Sequence, residues 1–177
     1  VIDKMCRTII NEGAIGRFVY APEFLTEGNA DQEYCNPKYM VLGGIPSSCN
    51  ALLEFFHYNT FMRLPKNTED DGGIHIVQPA EASFIKYAIN CFLATKVTFF
   101  NQLYDAVEDT NANFATIIKA ISMDSRIGSS HTRVPGFDGK QGYGGACFPK
   151  DVSAFINYNK QLTLLKEVSI INNSYRQ

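Results

Sequence analysis

Gly142-Tyr143-Gly144-Gly145-Ala146-Cys147-Phe148-Pro149-Lys150-Asp151 sets one cysteine between a glycine-rich loop and a helix start. Glycines at 142, 144 and 145 permit turns and close backbone approaches that a Cβ would resist. Pro149 suits the first helical position, and Asp151 falls in the first turn, where the helix dipole favours negative charge. The stretch predicts a helix from Pro149 to about Asn159 with Cys147 just before it. A thiol there faces unpaired backbone N–H groups and the positive end of the dipole, which favour thiolate and make a nucleophile. Taken alone, the residue also reads as an inert core cysteine, the commoner fate of a free thiol.

Upstream of this loop, about 25 residues lack periodicity, and a connection of that length in a compact domain is either functional or disordered. Before it, Asn113 is a good N-cap for a helix reaching Met123. From Pro79 to about Asp109 there is no glycine and no internal proline. One helix is predicted there, about 45 Å long. Its apolar residues, among them Phe84, Ile89, Phe92, Val97, Phe100 and Leu103, fall on more than one face. Such a helix is buried on several sides, more than one small domain can cover, so it predicts a contact with another subunit. Lys86 and Asn90 sit one turn apart on it, and as residue types on a helix they are ordinary. A last helix is expected from Thr163 to Tyr175.

The chain's first half reads as helix over Val1–Ile10, strands at 16–21, 39–43 and 74–77, and a helix over 50–58, which suggests part of an open α/β sheet. Pro22-Glu23-Phe24-Leu25-Thr26-Glu27-Gly28 follows a strand end, where such sheets place ligand chemistry. Two carboxylates four apart in a polar loop also read simply as solvated. No G-x-G-x-x-G occurs in the 177 residues, so a chain that starts inside a domain is expected.

With 45% hydrophobic and 19% charged residues, the composition is that of a globular protein. A net charge of −2 without a basic run argues against nucleic acid or an anionic membrane as the main partner. No stretch reaches the length of a membrane span, and Val1-Ile2-Asp3-Lys4 is no signal peptide. The five cysteines are odd in number with no CxxC pair, and the three histidines form no HExxH. Neither a disulfide framework nor a metal site is expected, and a reducing cytoplasm is.

The ten-residue stretch resembles the GGxC(F/L)PKD active-site signature of the nucleotide-sugar 6-dehydrogenases, the UDP-glucose/GDP-mannose dehydrogenase family. Residues 22–28 resemble that family's PEFLxEG segment, Lys86 and Asn90 its KxxxN helix, and Asp124-Ser125-Arg126-Ile127-Gly128 its DxRIG segment. The four segments occur in the family's order, so the resemblance covers nearly the whole chain. It implies an α/β fold, with 1–78 as the second half of a Rossmann-like, NAD-binding domain and 79–177 as an all-helical dimerisation domain with a long central helix. Lacking the first βαβ units and a third domain, the chain is expected to be a fragment, a split-gene product or a truncated relative.

The activity implied is NAD-dependent, two-step oxidation of the C6 hydroxyl of UDP-glucose, or a related nucleotide sugar, by a homodimer. Cys147 would form a thiohemiacetal and then a thioester, Lys86 and Asn90 would stabilise the oxyanions, and Glu23 and Asp151 would position water. By the same resemblance Glu27 and Lys150 face the cofactor. Phe24, Leu25, Arg126, Tyr143, Gly144 and Gly145 face the substrate, with Arg126 reaching across the dimer. Competing readings are an inactive dimerisation or nucleotide-sugar-binding module and, with less behind it, a thiol hydrolase.

Overall fold

Tyr39-Met40-Val41-Leu42, rich in aromatic, branched and other apolar side chains, forms the central strand of a small sheet, as pleated and half-buried surfaces favour. The computed structural model describes residues 18–26, 29–65 and 73–177. The expected helix over Val1–Ile10, the beginning of the first expected strand, and Glu27 lie outside the described residues. Strands β1 (Val19–Tyr20), β2 (Tyr39–Gly44) and β3 (Gly73–Val77) lie in the order β1-β2-β3. β2 and β3 are parallel, with Tyr39 opposite Gly73 and Gly43 opposite Val77. Parallel neighbours need a long crossover, and it includes a helix, Pro46–Asn59. β1 pairs with β2 antiparallel, Val19 opposite Gly44, so the sheet is mixed.

In chain order the helices are α1 (Ala30–Cys35), α2 (Pro46–Asn59), α3 (Pro79–Glu108), α4 (Phe114–Ile121), α5 (Phe148–Tyr158) and α6 (Thr163–Tyr175). α2 begins at Pro46 rather than at the expected Asn50, because a proline at the first position needs no hydrogen-bond partner for its nitrogen. α3 runs for 30 residues, as the absence of helix breakers predicts. The Asn113 side chain caps α4 by accepting from the Thr116 N–H at 3.0 Å. α5 starts one residue earlier than expected, at Phe148, which makes Cys147 its N-cap and Pro149 its second residue. By internal contacts the chain divides into two compact units between Lys86 and Tyr87, within α3.

The first unit packs Val41, Leu42 and Cys49 with Ala82 from the start of α3, all buried. Gly43 makes this packing possible: a Cβ there would lie 2.8 Å from the Pro79 Cα and 2.9 Å from the Ala82 Cβ. Neither neighbour is a flexible side-chain tip, so Gly43→Ala is expected to cost about 1–3 kcal/mol, read as a lower urea midpoint. An unchanged midpoint would show that α3 can back away from β2.

The second unit is built on Cys91, Ala94, Tyr143, Val152, Leu165 and Val168, with Phe148, Phe155 and Ile156 packed around them. On α3 the buried positions Cys91, Ala94, Thr98 and Asn101 recur at intervals of three and four, the stripe expected where a helix faces a core. Among the described residues no helix is long and apolar enough to cross a membrane.

Candidate active site

The loop before α5 turns at Gly142 (φ 73°) and Gly145 (φ 72°), a region that L side chains rarely enter. It delivers Cys147 to the helix N-terminus, exposed, with no capping hydrogen bond made by its side chain. The Asp151 N–H donates to the Cys147 carbonyl at 2.9 Å and closes the first turn. The Asp151 side chain turns inward and is 3% exposed. A buried carboxylate is tolerable only when donors meet it, and two do. Asn90 Nδ2, from α3, lies 2.6 Å from Oδ2, and Lys150 Nζ lies 2.6 Å from Oδ1. The Asp151 hydrogen bond holds the Lys150 ammonium above its ordinary pKa, opposed by partial desolvation and reinforced by the Asp151 charge and by the Cys147 and Tyr87 side chains. Cys147, Asn90, Lys150 and Asp151 therefore form one group.

Cys91, on the same helix as Asn90, is the contrasting thiol. Burial first, then the Asp151 charge, pushes it up to about 11. Tyr175 is pushed up to about 12 by burial, its hydrogen bond to Asp105 and the charge there. Unfolded, these groups titrate near about 8.5 and 10. Below about pH 8.5 both states keep both protons and stability is whole; as pH rises further only the unfolded chain ionises, so stability falls until the folded groups titrate near 11 and 12. Urea midpoints should drop between about pH 8.5 and 11. Cys91→Ala should flatten that slope; an equally steep slope in the variant would contradict the assignment.

In the first unit, Lys86 donates to the Glu23 carbonyl, and its ammonium lies 5.5 Å from the Phe24 ring centroid. Glu23 Oε1 accepts from the Leu25 N–H at 2.8 Å, so this carboxylate folds back on its own exposed loop. Glu23, Phe24, Leu25 and Lys86 are thus gathered together. The loop lines a cavity of about 480 Å³ with Tyr39, Met40 and Phe56.

Three expected substrate residues take particular positions. Arg126 projects into solvent and grips Asp124 through Nε and Nη2, the latter at 2.6 Å, which lowers the Asp124 pKa. Tyr143, expected on the substrate side, is 4% exposed. Its ring belongs to the core, because a large amphipathic side chain buries well there, and only its backbone faces the loop. Gly144 lies against Arg176, whose Nη1 would be 2.7 Å from a Cβ at that position.

Sequence reasoning missed the residues that hold this loop. Asn101 Oδ1 accepts from the Gly142 N–H at 2.9 Å, and Asn172 Oδ1 accepts from the Tyr143 N–H at 2.6 Å. The signal available was a polar residue at a core position of the helical period: Asn101 continues Cys91, Ala94 and Thr98, and Asn172 continues Leu165 and Val168. Among the described residues no cluster of three or more His, Cys, Asp or Glu could hold a metal ion.

Residues 80–174 match the central domain of the UDP-glucose/GDP-mannose dehydrogenase family. UDP-glucose 6-dehydrogenase TuaD of Bacillus subtilis (strain 168) is 31% identical over 161 residues, which cover 89% of this chain and 32% of TuaD. A Pseudomonas aeruginosa UDP-glucose 6-dehydrogenase is 35% identical over 140 residues, 79% of this chain and 28% of that enzyme. Among solved structures, a UDP-glucose dehydrogenase from the hyperthermophilic archaeon Pyrobaculum islandicum superposes with a TM-score of 0.70 at 30% identity, over 88% of this chain and 34% of that one. The chain spans 32% of the length of TuaD, about a third of such a relative.

Proposed function

The chain belongs to the UDP-glucose/GDP-mannose dehydrogenase family, and from that premise we propose that it carries the nucleophile of a two-step oxidation of a nucleotide sugar, UDP-glucose first among candidates, to the uronate. The supporting observation is the exposed Cys147 at the N-cap of α5 beside a buried, doubly bonded Asp151. In this reading the Cys147 sulfur adds to the carbon of the sugar aldehyde. Negative charge then gathers on the former carbonyl oxygen. Asn90 Nδ2 gives one hydrogen to Asp151 and has a second to offer that oxygen. Lys86, one turn earlier on the same helix, is assigned the cationic half of this role from the resemblance.

Loss of hydride leaves a thioester on Cys147, and water cleaves it to carboxylate and free thiol. In this reading Asp151, fixed by Asn90 and Lys150, holds that water and takes its proton, and Glu23 is assigned as the second carboxylate from the resemblance. NAD is the hydride acceptor implied. Lys150 is exposed enough to meet it, but the G-x-G-x-x-G cradle is not in the 177 residues, so this chain supplies little of the cofactor's grip. Residues 1–78 are assigned to the C-terminal part of a Rossmann-like NAD-binding domain, and 79–177 to a helical domain that forms a homodimer through α3.

The 177-residue chain with UDP-glucose and NAD should give no NADH absorbance at 340 nm, for want of that cradle. Put in place of the matching segment of TuaD, it should give two NADH per uronate formed. Binding of UDP-glucose without NADH in a folded chimera would favour the non-catalytic binding module instead.

A further inference from the structure

A loop of glycines has more conformations to lose than any other segment, so its shape has to be imposed from outside. Here the imposing groups are two buried asparagines from the helices on either side and the arginine that follows the second of those helices. Asn172 of α6 both accepts from the Tyr143 N–H at 2.6 Å and donates to the Tyr143 carbonyl at 3.1 Å, pairing with that residue as a neighbouring strand would. Asn101 of α3 accepts from the Gly142 N–H at 2.9 Å and spends its own Nδ2 on the Val97 carbonyl at 2.8 Å. Arg176 donates to the Gly142 carbonyl at 2.5 Å and pairs with Asp138. All four backbone polar groups of residues 142 and 143 are therefore met by side chains. Gly142 is part of the same device, because a Cβ there would sit 2.6 Å from Asn172 Oδ1; the glycine admits the asparagine.

We propose that Asn172, seconded by Asn101, is a positioning residue for the nucleophile: the two amides fix Gly142 and Tyr143, and so aim the remaining loop at the N-cap that presents Cys147. The proposal rests on reading Cys147 as the nucleophile. Asn172→Ala removes both bonds to Tyr143, and Asn101→Ser withdraws the acceptor from Gly142.

In the full chain, amide exchange over 144–147 should quicken roughly tenfold in Asn172→Ala, and the pH profile of Cys147 alkylation by iodoacetamide should shift. Cys91 should stay unreactive, which shows that the core survives. Wild-type exchange and an unmoved profile in a folded Asn172→Ala would overturn the proposal. If Cys91 becomes reactive, the core has opened, and Asn101→Ser decides by the same two readings. Wild-type Cys147 reacting no faster than free cysteine would sink the nucleophile reading, while exchange over 144–147 would still report on the clamp.

Discussion

Cys147→Ser should lower uronate formation in the TuaD chimera by roughly a thousandfold or more, because a serine hydroxyl at the same N-cap stays protonated and adds poorly to an aldehyde. Cys91→Ala, one side chain from Asn90 but buried in the core, should keep activity within about tenfold, since its thiol is pushed up to about 11 and is never the attacking group. The contrast is read from NADH traces together with uronate measured by mass spectrometry. In the isolated chain the same difference should appear as alkylation: Cys147 is exposed and labels first, while Cys49 and Cys91 are buried and stay silent. A Cys147→Ser chimera that still forms uronate at a tenth of the parent rate would end the nucleophile reading.

The elements legible in the sequence were those whose signal is local. α3 was readable because nothing between Pro79 and Glu108 breaks a helix, and α4 because Asn113 is a strong cap with no competing role. α1 was not readable: its six residues bury nothing, so no apolar stripe betrays it. β1 falls within the strand expected at 16–21, but its antiparallel direction was hidden, since its two residues, Val19 and Tyr20, are set by pairing with Gly44 and Gly43. Turn glycines were legible as turns, but the demand on Gly43 comes from Pro79 and Ala82, far along the chain.

At the site, the motif singled out residue types suited to the proposed chemistry, and nothing in it pointed to the residues that hold their loop. Cys147, Lys150 and Asp151 are adjacent in sequence, and Asn90 reaches them from α3 through a single hydrogen bond to Asp151. Asn101 and Asn172 act on backbone atoms, for which any sequence would serve, so no motif points to them. Tyr143 stands at a loop position that suggests ligand contact, while its ring packs in the core cluster with Cys91, Val152, Leu165 and Val168.

Phe92→Asp and Phe100→Asp should behave oppositely, although both positions read as interface from the apolar pattern of α3. The structure separates them: Phe92 is 68% exposed and Phe99, seven residues on, is 58% exposed, whereas Phe100 is 2% exposed. Residues seven apart share a helix face, so Phe92 and Phe99 make an apolar strip on the outside of the second unit. Met123, just past α4, is also open at 84%, and α4 buries none of its residues. A strip of exposed aromatic side chains is a candidate contact surface, and a two-fold pairing would bring each strip against its own copy. An aspartate at Phe92 would then put like charges together in a drying contact at a cost of several kcal/mol, while the folded unit loses nothing it had buried. Phe92→Asp is expected to halve the mass measured by light scattering at tens of micromolar and to leave the helical signal intact. Phe100→Asp places the charge inside the unit and is expected to unfold it outright. A dimer that survives Phe92→Asp, or a parent chain that is monomeric at that concentration, would remove this face of α3 as the interface.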